Sequence, residues 1–256
     1  MHAEQRERLI LDAIEASGFI TYRDLEARLE ASPATIRRDL TRLEKAGAIV
    51  RVHGGAKPAA DSKAGRLVGT PFEQSITQNL ARKQAIGRAA AALCTPGEAV
   101  MIDGGTTTLQ MCPHLDGLDL QVLTNSLHII EALLPQLGTR LLVPSGVIFR
   151  EQNIILAPHG EESMPRFHAP KLFMGAAAVA AQGVMQQDVI LVAAERRLID
   201  RAEQLILLVD SSKFRSTSGA IVCELGEVDV LVTDSGISPD MADMVRKTGV
   251  ELIIAV

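Results

Sequence analysis

The sequence has no tryptophan, one tyrosine and six phenylalanines in 256 residues. Recognition built on stacked aromatic rings is therefore not expected. No apolar run approaches the roughly 20 residues that a membrane-spanning helix requires. The opening stretch, MHAEQRERLI, is charged and lacks the apolar core of a signal peptide. The three cysteines, Cys94, Cys112 and Cys223, are far apart and odd in number. They form neither a zinc spacing nor a disulfide framework, and a small buried apolar side chain is the simplest role for each. Neither a Walker pattern nor G-x-G-x-x-G is present, so no nucleotide cofactor and no metal site are expected. These absences predict a cytoplasmic protein in a reducing compartment with no membrane partner.

What is present is aliphatic. Hydrophobic residues make up 47% of the chain, enough for a sizeable core. The length allows one large domain or two unequal ones. Net charge is −5, but it is divided unevenly. Residues 1–60 carry 10 basic and 9 acidic side chains, net +1, whereas 61–256 carry 16 and 22, net −6. Within 33–57 there are six basic groups against two acidic ones. A small domain with a focused cationic strip precedes an acidic body.

The first part reads as three helices. Leu9, Ile10, Ala13 and Ile14 fall at helical spacing, and Gly18 suits the end of that helix. A short extended piece follows, and Thr21 can cap a second helix with Asp24 near its positive end. Tyr22, Leu25 and Leu29 form its apolar stripe. After a tight turn, Ser32 is a natural N-cap and Pro33 suits the first helical position. Ile36, Leu40 and Leu43 share one face, while Ala34, Arg37, Arg38, Thr41, Arg42 and Lys45 occupy the other. A helix, a tight turn and a helix with a basic outer face make a helix-turn-helix, whose second helix enters the major groove of DNA. Gly47 ends that helix, and IVRVHGG reads as a small hairpin, a wing, carrying Arg51 and His53.

The stretch SPATIRRDLTRLEKAGAIVRVHGGA resembles the N-terminal signature of the DeoR family of bacterial transcriptional regulators. The resemblance implies a winged helix-turn-helix and, usually, a repressor. By motif position it implies DNA contacts at Ser32, Thr35, Arg37, Arg38, Arg51 and His53. The basic face adds Thr41 and Arg42.

The domain ends at 56, and 57–71, rich in Ala, Gly, Pro and Lys without periodicity, reads as a linker. Residues 72–256 form the second domain. FEQSITQNLARKQAIGRAAAAL is a long helical pattern. Then short continuous apolar runs alternate with polar turns and helices, which means a mostly parallel α/β sheet buried on both faces. Such a sheet binds ligands at the carboxyl ends of its strands. Those ends carry DGGTTT, TNS, PSG, GAAAV and DSSK.

Residues 103–108 offer one carboxylate, two glycines that let backbone amides approach an anion, and three threonine hydroxyls. A helix start after them would add further donors, so phosphate is the natural guest. Asn125 and Ser126 offer a second donor cluster, or simply a helix cap. Lys213 supplies a mobile positive charge, and Asp103 and Asp210 can accept from sugar hydroxyls.

DGGTTT, TNS and DSSKF are similar to the effector half of the same DeoR family. The resemblance implies a fold like ribose-5-phosphate isomerase and a phosphorylated sugar as effector. It carries over Asp103, Gly104, Gly105, Thr106, Thr107, Thr108, Asn125, Ser126 and Lys213 as pocket residues. Ser145 and Gly146 stand where most of the family has Gly-Gly, and Lys83 also sits at a motif position. NIILAPHGEES is similar to the ascorbate-utilisation branch, which senses a phosphorylated ascorbate. His159 and Glu195 either read ligand hydroxyls or merely pack.

The expectation is a DNA-binding repressor of a carbohydrate catabolic operon, a homodimer or homotetramer, modulated by a phosphorylated sugar. A sugar-phosphate isomerase is the competing reading, with Asp103, Glu195 and Lys213 as base, acid and stabiliser. No closely spaced acid–base pair favours it, and an isomerase has no use for a helix-turn-helix, so no enzymatic activity is expected.

Overall fold

A computed structural model describes residues 3–17, 20–21, 24–25, 28–29, 31–45, 48–52, 55–58, 72–156, 165–216 and 218–256. The chain folds into two compact units, Met1–Leu67 and Val68–Val256.

The first unit opens with the helix Ala3–Ser17, followed by strand β1 (Ile20–Thr21). Thr21 caps the next helical turn: its Oγ1 accepts from the Asp24 N–H at 3.1 Å and its hydroxyl donates to Asp24 Oδ2 at 2.6 Å. The helix Pro33–Lys45 begins after Ser32, whose Oγ accepts from the Thr35 N–H at 3.3 Å. Strands β2 (Ile49–Val52) and β3 (Gly55–Pro58) then form the antiparallel wing, and β1 joins the outer edge of β3. One core unites the elements: Ile10 and Ile14, then Leu25 and Leu29, then Ile36, Leu40 and Leu43, closed by Ile20 and Ile49. Leu9, expected in the stripe, is 43% exposed. Tyr22, Gly18 and Gly47 lie outside the described residues. β3 runs two residues past the domain end expected at 56.

The second unit holds β4 (Ala99–Ile102), β5 (Gln121–Leu123), β6 (Arg140–Leu142), β7 (Val147–Phe149), β8 (Ile154–Leu156) and β9 (Ala169–Met174). It continues with β10 (Ala178–Ala180), β11 (Gly183–Gln186), β12 (Ala202–Leu208), β13 (Ala220–Cys223), β14 (Val230–Asp234) and β15 (Glu251–Ala255). Seven of these strands make one sheet in the order β15-β14-β12-β9-β4-β5-β6, parallel throughout. Successive side chains serve opposite faces: Val100 and Ile102 enter one core, Met101 the other. Burial on both faces is why these strands read as unbroken apolar runs. The first core is covered by the helices Leu80–Ala91 and Leu127–Leu133, with Ile86, Ala90, Ile129 and Leu133 pointing inward. The second is covered by the helices Val189–Ile199 and Pro239–Lys247 and by an antiparallel sheet, β10-β11-β13.

Three local features depart from the sequence reading. The long helix expected from 72 is broken into a turn, Phe72–Ser75, and the helix Leu80–Ala91. Asn79 stands between them at φ 54°, a conformation asparagine tolerates better than most side chains. Its amide donates to Asp210 Oδ1 at 3.0 Å. After DGGTTT the chain enters a 3₁₀ helix, Thr108–His114, containing Pro113, in place of an α-helix. The β7–β8 hairpin and the β10-β11-β13 sheet were not anticipated; their strands are short and lie outside the periodic βα pattern.

The winding of the sheet positions a cavity. From β4 the chain steps outward to β5 and β6, then returns to lay β9 on the other side of β4. The loops leaving β4 and β9 therefore diverge, and a crevice opens at their carboxyl ends.

Candidate functional site

In the first unit, the helix Pro33–Lys45 presents Arg37 and Arg38 to solvent, engaged with no partner among the described residues. Thr41 donates its hydroxyl to the Arg37 carbonyl at 2.8 Å, and the Arg51 guanidinium donates to Thr41 Oγ1 at 3.2 Å. The wing is thereby tied to the recognition helix. Arg42 is occupied differently: it pairs with Asp39 and, at 3.0 Å, with Glu7. Asp39 is fully buried and also receives Arg6 at 2.7 Å, so it locks the first helix to the third. Ser32 Oγ lies 2.9 Å from Thr35 Oγ1, within the cap. His53 lies outside the described residues.

In the second unit, the crevice between the β4 and β9 loops is a cavity of about 140 Å³. The β4 loop supplies Asp103, Gly104, Gly105, Thr106 and Thr107, the turn after β5 supplies Asn125, and the turn after β12 supplies Lys213. Gly104 is needed for close approach. A Cβ there would stand 2.5 Å from Ile154 Cγ2, which belongs to the hairpin closing the cavity. Asn125 ties the loop down: its Oδ1 accepts from the Gly104 N–H at 3.1 Å and its Nδ2 donates to Asp103 Oδ1 at 3.2 Å.

Other expected residues stand beside the cavity in supporting positions. The Thr108 hydroxyl donates to the carbonyl of Asp103 at 2.8 Å and shapes the loop. Ser126 caps the helix Leu127–Leu133 by accepting from the Ile129 N–H at 3.4 Å. Asp210 accepts from the Ser212 N–H at 3.1 Å and so holds the turn bearing Lys213. Lys83 is 2% exposed and donates to the Ser75 carbonyl at 2.7 Å, under the cavity wall. Burial lowers its pKa, partly offset by Asp210 and reinforced by Lys213. Ser145 and Gly146 are exposed and do not line the cavity. His159 lies outside the described residues.

Glu195 does line it, 4% exposed, on the helix Val189–Ile199. Gln186 donates to its Oε1 at 2.6 Å. Burial, helped by the charge of Asp103, pushes the Glu195 carboxyl well above its ordinary range, against the pull of Gln186. Burial also raises Asp103 to about 6, against hydrogen bonds from Gly104 and Asn125. Sequence reasoning missed Ser75, Gln78, Gln152, Gln186 and Gln187, which also line the cavity. They arrive on the broken helix, the hairpin and the antiparallel sheet, and no local motif announces them.

Residues 78–235 match the DeoR C terminal sensor domain, and residues 6–61 match the DeoR-like helix-turn-helix domain. The chain is 29% identical over 253 residues to the HTH-type transcriptional regulator UlaR of Salmonella arizonae, covering 99% of both chains. It is 28% identical to UlaR of Escherichia coli over the same share of each. Among solved structures, ribose 5-phosphate isomerase A of Methanocaldococcus jannaschii superimposes with a TM-score of 0.39. That likeness, at 14% identity, covers 54% of this chain and 55% of the other. With a helix-turn-helix at one end and the sensor domain over more than half its length, the chain belongs to the DeoR family of DNA-binding transcriptional regulators.

Proposed function

We propose that this regulator represses a carbohydrate catabolic operon and that a phosphorylated sugar, bound in the cavity of the second unit, modulates its affinity for DNA. The observation that carries the reading is the switch-point cavity. Gly104 lets the loop pack under the hairpin, and Gly105, Thr106, Thr107 and Lys213 line the space left for an anion. Phosphate needs such a set of N–H, hydroxyl and ammonium donors. The amides of Gln152, Gln186 and Gln187 suit sugar hydroxyls.

On the DNA side, Arg37 and Arg38 are the groups with charge to spare, and Thr35, Thr41 and Arg51 flank them. Arg42, paired twice within the unit, shapes the surface more than it reads bases. A homodimer or homotetramer in the cytoplasm would hold paired recognition helices on repeated half-sites. The effector need supply only about 1–3 kcal/mol of coupling, roughly 5- to 150-fold in affinity. The acidic second unit, net −7 over 68–256, confines DNA contact to the basic strip.

The test is affinity for the DNA upstream of its own operon, titrated with and without a panel of pentose and hexose phosphates. Salt-sensitive binding relieved by one compound supports the reading. Binding that no compound alters leaves the sensor reading wrong. Turnover of any of these compounds by the purified protein would favour an isomerase instead.

A further inference from the structure

Glu195 is a buried acid with an unfilled place. Its Oε2 is enclosed and has no hydrogen-bond partner among the described residues, although the side chain lines the cavity. An unmade hydrogen bond on a buried group is costly, so native structures keep one chiefly where something else supplies the partner. Among the described residues, no element around it pairs it with a cation. β11 offers the neutral amide of Gln186, already given to Oε1, and β13 offers the Cys223 thiol. The β4 loop offers Asp103, of the same sign. Lys213 lines the same cavity, but no ion pair joins it to either carboxyl among the described residues. Burial, with a like charge nearby, favours the neutral form of Glu195. With Oε1 accepting from Gln186, the proton of the neutral Glu195 belongs on Oε2, where it points at no acceptor.

We propose that Glu195, buried at the cavity wall with its Oε2 unpartnered, is a specificity-determining group that donates an O–H to an acceptor oxygen on the sugar body of the effector. This rests on the sensor reading above and deepens it. Loop amides and Lys213 take the phosphate, while Glu195 asks for a carbonyl or hydroxyl oxygen that phosphate alone does not bring.

Wild type, Glu195→Gln and Glu195→Ala should be titrated with pentose and hexose phosphates and, as a control, inorganic phosphate. For the sugar phosphate that binds wild type best, Glu195→Ala should weaken affinity about tenfold or more, because one buried hydrogen bond is lost. Glu195→Gln, which keeps a donor in place, should stay within about threefold. Inorganic phosphate should bind all three alike. Raising the pH favours the ionised form of Glu195, which cannot donate, so wild type should lose affinity relative to Glu195→Gln, whose amide does not titrate. That ratio removes the titration of the ligand's own phosphate, and a merely structural role for Glu195 would not move it. Equal affinity of Glu195→Ala and wild type for the sugar phosphate would overturn the proposal. So would parallel pH profiles for wild type and Glu195→Gln, the decisive pair if the alanine variant does not fold. If no sugar phosphate binds wild type at all, the sensor reading fails first and this inference with it.

Discussion

Two buried carboxyls, one in each unit, are handled in opposite ways. Asp39 in the first unit is fully buried and meets Arg6 and Arg42. Glu195 in the second is buried almost as deeply and meets a glutamine, another acid and an empty place. A paired buried charge fastens elements together, and its cost of desolvation is offset where it stands. A buried acid without that pairing keeps the cost of an unmade hydrogen bond, which a ligand can then relieve. The first unit thus uses its buried acid to fasten two helices, and the second, on the reading proposed above, offers its own to a ligand.

The largest effect expected from breaking this contrast is on the small unit. Leu40→Ala removes a fully buried side chain from a single small core. A loss of about 2–5 kcal/mol is expected. DNA binding should disappear while the second unit, followed by its own thermal transition, stays put.

Asp103→Asn should move stability the other way. The Asp103 carboxyl is raised from its ordinary 3.8 to about 6. The folded state therefore holds a proton that the unfolded state has released. Stability of the second unit should fall as pH rises through that window and stay lower above it. The asparagine variant should lack this slope and be more stable at neutral pH by about 2–3 kcal/mol. Denaturant titrations below and above the window check the sign; a wild-type slope of the opposite sign would show that Asp103 is held as an anion.

Lys213→Ala should cost the effector about 1.5–3 kcal/mol of binding and leave operator affinity intact. If it still releases DNA at the same effector concentration, Lys213 does not hold the phosphate. Arg38→Ala should do the converse. Operator affinity should drop by about 1–3 kcal/mol, with specificity relaxed at one base pair if the guanidinium reads an edge. Effector affinity measured without DNA should not change. The smallest effect is Ser32→Ala, which removes the cap on the recognition helix and should cost about 1 kcal/mol of stability in the first unit. A larger loss in DNA affinity than in stability would add a direct contact to its capping role.

The small unit was legible because its signals are local. Ser32 and Pro33 start a helix whatever lies beyond them, and Ile36, Leu40 and Leu43 define its inner face by spacing alone. Even there, no local signal marks Asp39; only packing against Arg6, 33 residues away, makes it a buried hub. In the second unit the strands announce themselves as apolar runs, and DGGTTT marks its loop through glycines that a close approach requires. The cavity's other walls did not announce themselves. Gln186 and Gln187 reach it because β11 folds back antiparallel against β10 and β13, and Ile154 because a hairpin covers Gly104.

By itself, then, the sequence determined the winged helix-turn-helix, the parallel sheet and the glycine-rich loop after β4, because caps, periodicity and glycine act within a few residues of chain. Which acids would be paired and which left open, and where the cavity would close, was decided by tertiary structure. Burial, charge pairing and the reversal of strand order exist only once distant segments meet.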